Sequence, residues 1–246
     1  MLGVSLTEEI DRTRRTRTAI EALIADPAQL GPDFQPIVRL DGSGTLGWKA
    51  TGRGKPGTAV ADTLTLLSGA QSLGLVERLD WAFRCHAFDV ALEHRLQGEL
   101  HLTPEPETFG SVCPPRLAAA WGRGRRGLDI VAELHEDAFV DVEGLRAAVE
   151  EMRGWGFRLV VADLSSDRAV TDTFGWLRPQ YVQVDVRVPA SVDTAALRAW
   201  LTAARGVDAT VMAVGVDSAA SLEAARSVGA TCGRGTLLGA PTDLPA

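Results

Sequence analysis

The chain has 246 residues, a length that can bury one large hydrophobic core. Apolar residues make up 46% and charged residues 23%, which is ordinary for a globular domain and excludes a largely disordered chain. No apolar run reaches the roughly 20 residues that a membrane helix needs, and the N-terminus lacks the apolar core of a signal peptide. We therefore expect a soluble, cytoplasmic protein that does not contact a membrane.

The net charge and the cysteine spacing exclude further classes of partner and cofactor. The net charge is −7, so broad electrostatic attraction to nucleic acid or to an anionic lipid surface is not expected. Cys85, Cys113 and Cys232 are widely spaced and form no C-x-x-C pair. This pattern predicts free thiols and argues against a disulfide scaffold or a cysteine zinc site.

The first part of the chain predicts a helix, a hairpin and two further helices. Ser5–Ala25 opens with a capping-box pattern and carries a thin apolar stripe, as an amphipathic helix does. Phe34–Leu40 and Leu46–Thr51 flank an Asp-Gly-Ser-Gly sequence, which predicts a β-hairpin. Ala59–Gly74 and Val76–Arg95 have helical periodicity.

The remainder alternates between strands and helices. With the hairpin, the strand-like runs total eight, which predicts an α/β fold: a modified TIM-type (β/α)8 barrel with one antiparallel strand. We assign one domain over residues 1–246, with a helix in 1–30 and the barrel in 31–246, and interpret Gly122–Gly127 as a basic turn. The later strands are predicted at Glu99–Thr103, Leu128–Leu134, Phe157–Leu164, Tyr181–Val186, Thr210–Val216 and Thr231–Leu238, and helices at Val142–Trp155, Thr194–Arg205 and Ser218–Val228.

Short motifs recur in order at the strand ends, where such barrels carry their chemistry. They include Phe34-Gln35-Pro36-Ile37-Val38, Gly47-Trp48-Lys49-Ala50-Thr51-Gly52-Arg53, Leu79-Asp80-Trp81, Leu102-Thr103-Pro104, Ala132-Glu133-Leu134-His135-Glu136, Ala162-Asp163-Leu164-Ser165, Gln183-Val184-Asp185, Ala213-Val214-Gly215-Val216-Asp217 and Gly239-Ala240-Pro241. Together they resemble the EAL-domain family, the bacterial phosphodiesterases that cleave the second messenger cyclic di-GMP.

The resemblance implies a hydrolytic site with two metal ions, but this chain differs from the family at most of the positions that form that site. At the family's metal-binding and catalytic positions it carries Lys49, His101, Ala162, Gln183, Val214 and Arg234, and only Glu133, Asp163 and Asp185 keep the family's residue type. Scattered carboxylates beside a lysine and an arginine do not offer the oxygen ligands that hard divalent cations require. We therefore predict no metal, no cofactor and no phosphodiesterase activity.

The same substitutions add about as much positive charge as two divalent cations carry, so the site is expected to attract an anion still. The resemblance implies that Arg53 holds a ligand phosphate and that Asp80 and Pro241 line guanine sites, and an arginine fork suits phosphate oxygens. We predict a catalytically inactive regulatory protein that binds cyclic di-GMP or another cyclic nucleotide. The predicted ligand-binding residues are Gln35, Lys49, Arg53, Asp80, His101, Glu133, Asp163, Asp185, Arg234 and Pro241.

An alternative from another functional class stays open. Lys49 is able to pair with Glu133, and Arg234 with Asp185 or Asp163, which would leave a closed mouth without ligand. The chain would then be a protein–protein interaction module that has lost nucleotide binding. A regulatory protein partner or a homodimer contact through Ser5–Ala25 is compatible with either function.

Overall fold

The computed structural model of the chain describes residues 6–162, 172–187 and 195–244. Eight strands close into a barrel in chain order. Strand β1 is antiparallel to both β2 and β8, whereas all the other neighbours are parallel, which confirms the predicted barrel with one antiparallel strand. The strands are β1 Gly31–Arg39, β2 Thr45–Arg53, β3 Glu99–Leu102, β4 Asp129–Leu134, β5 Arg158–Val161, β6 Tyr181–Asp185, β7 Thr210–Val214 and β8 Cys232–Arg234.

The helices lie between the strands and around the barrel. Three of them begin where a side chain accepts a hydrogen bond from the first turn: Asp62 before α2, Asp141 before α5 and Ser218 before α8. Ser5, the predicted cap of the first helix, lies outside the described residues. The helices are α1 Leu6–Ala25, α2 Thr63–Leu73, α3 Val76–Glu93, α4 Ala118–Gly127, α5 Val142–Gly154, α6 Phe174–Leu177, α7 Ala195–Arg205 and α8 Ala219–Ser227.

The interpretation of Gly122–Gly127 as a turn is wrong, because this segment is the second half of helix α4. Trp121 is buried and stacks on Phe88 of α3 with ring centroids 5.6 Å apart. At Gly124 a β-carbon would lie 2.2 Å from the Phe88 ring, so glycine here permits the close approach of α3 and α4. Tertiary packing therefore overrides the low helix propensity of the glycines.

Apolar clusters cover the outside of the barrel. One lies beneath helices α5 to α8, a second beneath α3 and α4, and a third joins α1, α2 and α3. Helix α1 contributes Ile20, Leu23 and Ile24 to the third cluster. Within the described ranges, no helix combines the length and the apolar character needed to cross a membrane.

The inside of the barrel is only partly apolar. Successive residues of a strand point to opposite faces, so every second side chain is directed inwards. Val131, Val160 and Met212 form part of a small interior cluster that is fully buried. The same interior holds His101 and Glu133, both 0% exposed, and these polar residues form the lower part of the candidate site.

Candidate functional site

A buried ion pair closes the floor of the barrel mouth. The Lys49 ammonium on β2 lies 2.8 Å from Glu133 Oε2 on β4 and donates a hydrogen bond of 2.5 Å to Thr103 Oγ1. His101, which is paired with Lys49 in the register of β2 and β3, lies between them, with Nδ1 3.2 Å from Glu133 Oε1. Both oxygens of the Glu133 carboxylate therefore have a close polar neighbour, of which the alternative interpretation of the sequence anticipated Lys49.

The polar contacts continue from His101 deeper into the barrel. His101 Nε2 lies 2.8 Å from Glu99 Oε2, and Tyr181 Oη donates to Glu99 Oε1 at 2.7 Å. Arg158 Nη1 donates to the same oxygen at 2.6 Å. We call Lys49, Glu133, His101, Glu99 and Arg158 the interior ion chain.

Lys49, His101 and Glu133 are among the site residues predicted from the sequence, whereas Glu99, Tyr181 and Arg158 are not. The available signal was spacing: Glu99 stands two residues before His101 and therefore shares its face of β3. Its two partners come from β5 and β6, so only the closed barrel brings them together.

The electrostatics of the interior ion chain favour the charged form of its two carboxylates, Glu133 and Glu99. Burial acts to raise the pKa of Glu133, but Lys49, His101 and Arg234 outweigh it and hold the pKa well below its usual value. Burial lowers the pKa of Lys49, and the nearby Arg234 adds to this effect, while Glu133 opposes it. Each partner thus depends on the other, as expected for a buried ion pair.

Arg234, at the end of β8, is less closely paired with Glu133 than Lys49 is. Its Nη2 lies 3.8 Å from Glu133 Oε2, and its Nε is buried without a hydrogen-bond partner among the described residues. The Oε1 of Gln183 on β6, a residue only 5% exposed, likewise has no partner in this part of the chain. Within the described residues, the mouth therefore contains an unused donor and an unused acceptor.

The alternative interpretation offered Asp185 or Asp163 as the partner of Arg234. The Asp185 carboxylate is bound instead by Arg187, two residues further along the chain. This local contact needs no long-range closure, and the Arg187 Nε and Nη2 both donate to the Asp185 carboxylate. The other predicted partner, Asp163, lies outside the described residues.

The C-terminal segment, residues 241–244, contacts Arg53, the residue predicted to bind a ligand phosphate. Its Nε donates to Asp33 at 2.9 Å and its Nη2 to Asp243 at 3.0 Å. Backbone hydrogen bonds between Phe34 and Thr242 fix this segment to β1. Gln35 and Pro241 lie at the same junction, where the Gln35 side chain donates to the Gly239 carbonyl at 3.1 Å and Pro241 is exposed.

A cavity of about 800 Å³ lies between β2 and helices α2 and α3. Of the predicted site residues, Lys49 and Asp80 line it. Asp80, 6% exposed, pairs with Arg84 at 2.9 Å and accepts a hydrogen bond from the Glu105 backbone N–H. Among the described residues, the structure therefore divides the predicted site into the central ion pair, Arg53 with its carboxylate partners Asp33 and Asp243, and this cavity.

The residues present do not fit a pair of hard divalent cations, which need several free oxygen ligands. The oxygens of Glu133 are bound by Lys49 and His101, and Asp185 is bound by Arg187. Ala162 and Val214, at two of the strand ends, have no donor atom in their side chains. In the parts of the chain that the structure describes, no three His, Cys, Asp or Glu side chains form a metal-binding group.

The family comparison extends across nearly the whole chain. The family model described as EAL domain matches residues 5–241. A sequence search of curated proteins found no match.

Solved structures share the fold at low sequence identity. The Xanthomonas citri FimX EAL domain, in complex with c-diGMP, has a TM-score of 0.81 and 14% identity over 96% of each chain. The Pseudomonas aeruginosa FimX EAL domain bound to c-di-GMP has a TM-score of 0.74 and 16% identity, covering 93% of this chain and 97% of that one. A standalone Vibrio cholerae EAL protein, in a c-di-GMP-bound form, has a TM-score of 0.72 and 19% identity, with coverage of 88% and 94%. At these identities the likeness establishes the fold.

Proposed function

The chain belongs to the EAL-domain family, and from this premise we propose that it is a non-catalytic member that binds a cyclic nucleotide without metal ions. Cyclic di-GMP is the first candidate ligand, because the three relatives described above are reported with it. The observation that carries the proposal is the Lys49 ammonium 2.8 Å from Glu133.

A fixed ammonium at this position opposes a divalent cation in two ways. It engages the carboxylate that would act as a metal ligand, and it repels a second cation placed beside it. At a separation of a few ångströms and with moderate screening, the repulsion between the ammonium and the metal ion amounts to several kcal/mol. Lys49 thus neutralises Glu133 and supplies no Lewis acid and no metal-bound water.

Arg234 is the residue that we expect to hold a ligand phosphate. Its Nε has no hydrogen-bond partner among the described residues, and its side chain is 21% exposed at the mouth. A guanidinium fork donates two parallel hydrogen bonds to phosphate oxygens, which makes arginine well suited to this role. Gln183 adds an unused acceptor close to the barrel axis for a donor of the ligand, such as a hydroxyl or a base N–H.

A protein-interaction module remains the second candidate, and one observation favours it. The cations Lys49, Arg53 and Arg187 are all paired with carboxylates, which offsets much of the attraction for an anion. A chain of this kind would keep its fold and its surface contacts while losing the nucleotide.

Calorimetric titration with cyclic di-GMP in EDTA, comparing wild type with Arg234→Gln, distinguishes the two functions. The variant is expected to weaken binding about tenfold or more, because a charge-assisted hydrogen bond is worth about 1.5–3 kcal/mol. The matched control Arg126→Gln changes an exposed arginine on α4 and should leave the affinity within about twofold.

Two results would contradict the proposal. Absence of binding by the wild-type protein would favour the interaction module. Conversion of cyclic di-GMP to a linear product in the presence of Mg²⁺ would show that the chain is catalytic.

A further inference from the structure

The described residues hold three free cysteines, and two of these lie side by side. Cys85 on α3 is 1% exposed, and Cys113, in the loop that precedes α4, is partly exposed. Both pack in the apolar cluster beneath α3 and α4. Cys232 on β8 belongs instead to the cluster inside the barrel, so the barrel wall separates it from the other two.

A single turn, Pro114–Leu117, brings the two thiols together. Cys113 Sγ lies 3.7 Å from the Pro114 carbonyl, and Cys85 Sγ lies 3.8 Å from the Leu117 carbonyl. The Leu117 backbone N–H donates to the Pro114 carbonyl at 2.8 Å, which closes this turn and places the two sulfur atoms at its two ends. The thiols are within hydrogen-bond reach of each other.

The loop that carries Cys113 is also attached to α3 beside Cys85. The Trp81 indole N–H donates to Ser111 Oγ at 2.8 Å. Trp81 stands four residues before Cys85, so both lie on the same face of the helix. A disulfide needs an S–S distance of about 2.05 Å, which is shorter than a contact between thiols. Residues 111–114 belong to no helix or strand, so this loop is the part that would move to close the bond.

From this shared turn and the contact between the sulfur atoms, we propose that Cys85 and Cys113 are an oxidation site, at which a small disulfide such as oxidised glutathione converts the two thiols into an intramolecular disulfide. The new bond would join α3 covalently to the loop that precedes α4. The site requires neither the nucleotide nor Arg234, so it is independent of the function proposed above.

The exposed thiol reacts first. The Cys113 thiolate attacks one sulfur of the small disulfide, which breaks its S–S bond and releases one small thiolate. The Cys85 thiolate then attacks the Cys113 sulfur of the mixed disulfide and releases the second small thiolate. The protons lost by the two cysteines go to the two released thiols. The protein loses two electrons and the small disulfide gains them.

The environment of Cys85 makes this conversion slow in both directions. Burial and then the neighbouring Cys113 raise the pKa of Cys85 to about 12, so the thiolate that closes the bond is rare at neutral pH. In reduction, a thiol that attacks the exposed Cys113 sulfur must expel Cys85, and a thiol with a raised pKa is a poor leaving group. The disulfide is therefore a lasting record of oxidation and not a rapid switch.

Mass spectrometry of the folded protein tests the proposal directly. The protein is incubated with oxidised glutathione at pH 8.5, its remaining thiols are alkylated, and it is digested with trypsin. Cleavage after Arg84, Arg95 and Arg116 separates the two cysteines into peptides 85–95 and 96–116. These two peptides should be recovered joined by a disulfide, with Cys232 alkylated. Recovery of both peptides alkylated, or of Cys113 carrying only glutathione, would overturn the proposal.

Two single-cysteine variants serve as a matched pair. Cys232→Ala should still yield the joined peptides, because it leaves both partners in place. Cys113→Ala should yield none, and its Cys85 should remain a thiol that is alkylated after unfolding. A joined product that requires Cys232 would show that the pairing arises from another contact.

Thermal unfolding then measures what the bond does to the fold. The disulfide closes a loop of about 30 residues, which restricts the unfolded chain. Oxidised wild type should therefore have a Tm at least about 4 °C above that of the reduced protein. Cys113→Ala should show the same Tm after either treatment. An equal or lower Tm for the oxidised wild type would contradict the proposed link between α3 and the loop.

Discussion

At the scale of single residues, Lys49 has the largest consequences. It is one of only two lysines in the chain, and it is 7% exposed at the centre of the barrel. A buried pair adds little net stability compared with apolar residues, yet removal of one partner leaves an unpaired charge in a medium of low polarity. Glu133, 0% exposed, would be that charge.

We therefore predict that Lys49→Met lowers the free energy of unfolding by about 3–5 kcal/mol, the usual cost of breaking a buried ion pair on one side. Urea denaturation followed by circular dichroism measures this change. The matched control is Lys55→Met, which replaces the exposed second lysine and should change stability by less than about 0.5 kcal/mol. Similar values for the two variants would show that the ion pair does not support the fold.

At the scale of elements, strand β3 illustrates what the sequence predicts well and what it misses. Leu100 and Leu102 face the outer helices, whereas Glu99 and His101 face the interior. The existence and order of the strands follow from such local patterns, so the barrel could be predicted. The interior ion chain could not be predicted in full, because it depends on the register of strands far apart in sequence.

The difference between local patterns and long-range contacts also applies to the ion pairs considered from the sequence. The pair of Lys49 and Glu133 was anticipated as an alternative because both residues fall at strand ends of one barrel. Of the two partners considered for Arg234, Asp185 is bound by Arg187, which lies close to it in sequence, and Asp163 lies outside the described residues. Positions such as Gly124 are also beyond a local pattern, since its packing against Phe88 is visible only in three dimensions.

For β3 we predict a pH-dependent effect of Glu99→Gln. Burial acts to raise the pKa of Glu99, but His101, Tyr181 and Arg158 outweigh it and lower the pKa below 4.5. A lowered carboxylate pKa stabilises the folded state above the unfolded pKa, and this contribution is lost as the pH falls through the folded pKa. The variant should thus be less stable at pH 6, by about 1.5–3 kcal/mol, and the deficit should shrink towards pH 3.5.

Thermal unfolding of both proteins across this pH range measures the deficit. Glu151→Gln, at an exposed position on α5, serves as the control and should show no pH-dependent difference. A deficit that stays constant with pH would mean that the charge of Glu99 is unimportant.

At the scale of the whole molecule, the barrel combines a rigid interior with a partly occupied mouth. The interior ion chain links β2, β3, β4 and β5 through side chains, and the C-terminal segment adds a contact from Asp243 to Arg53. The Glu133 carboxylate, which a metal ion would need as a free ligand, is bound by Lys49 and His101. The Asp243 carboxylate occupies Arg53, which was predicted to bind a phosphate. This arrangement agrees with a domain whose ligand binding does not depend on metal ions.

The most direct test of this account is a pair of calorimetric titrations of the wild-type protein with cyclic di-GMP, one in EDTA and one in MgCl₂. Because Lys49 engages the Glu133 carboxylate that a metal ion would need, we predict the same affinity within about twofold in the two buffers, with the nucleotide recovered intact from both. Binding that requires Mg²⁺, or cleavage of the nucleotide in its presence, would contradict the central claim that the interior ion chain has replaced the metals.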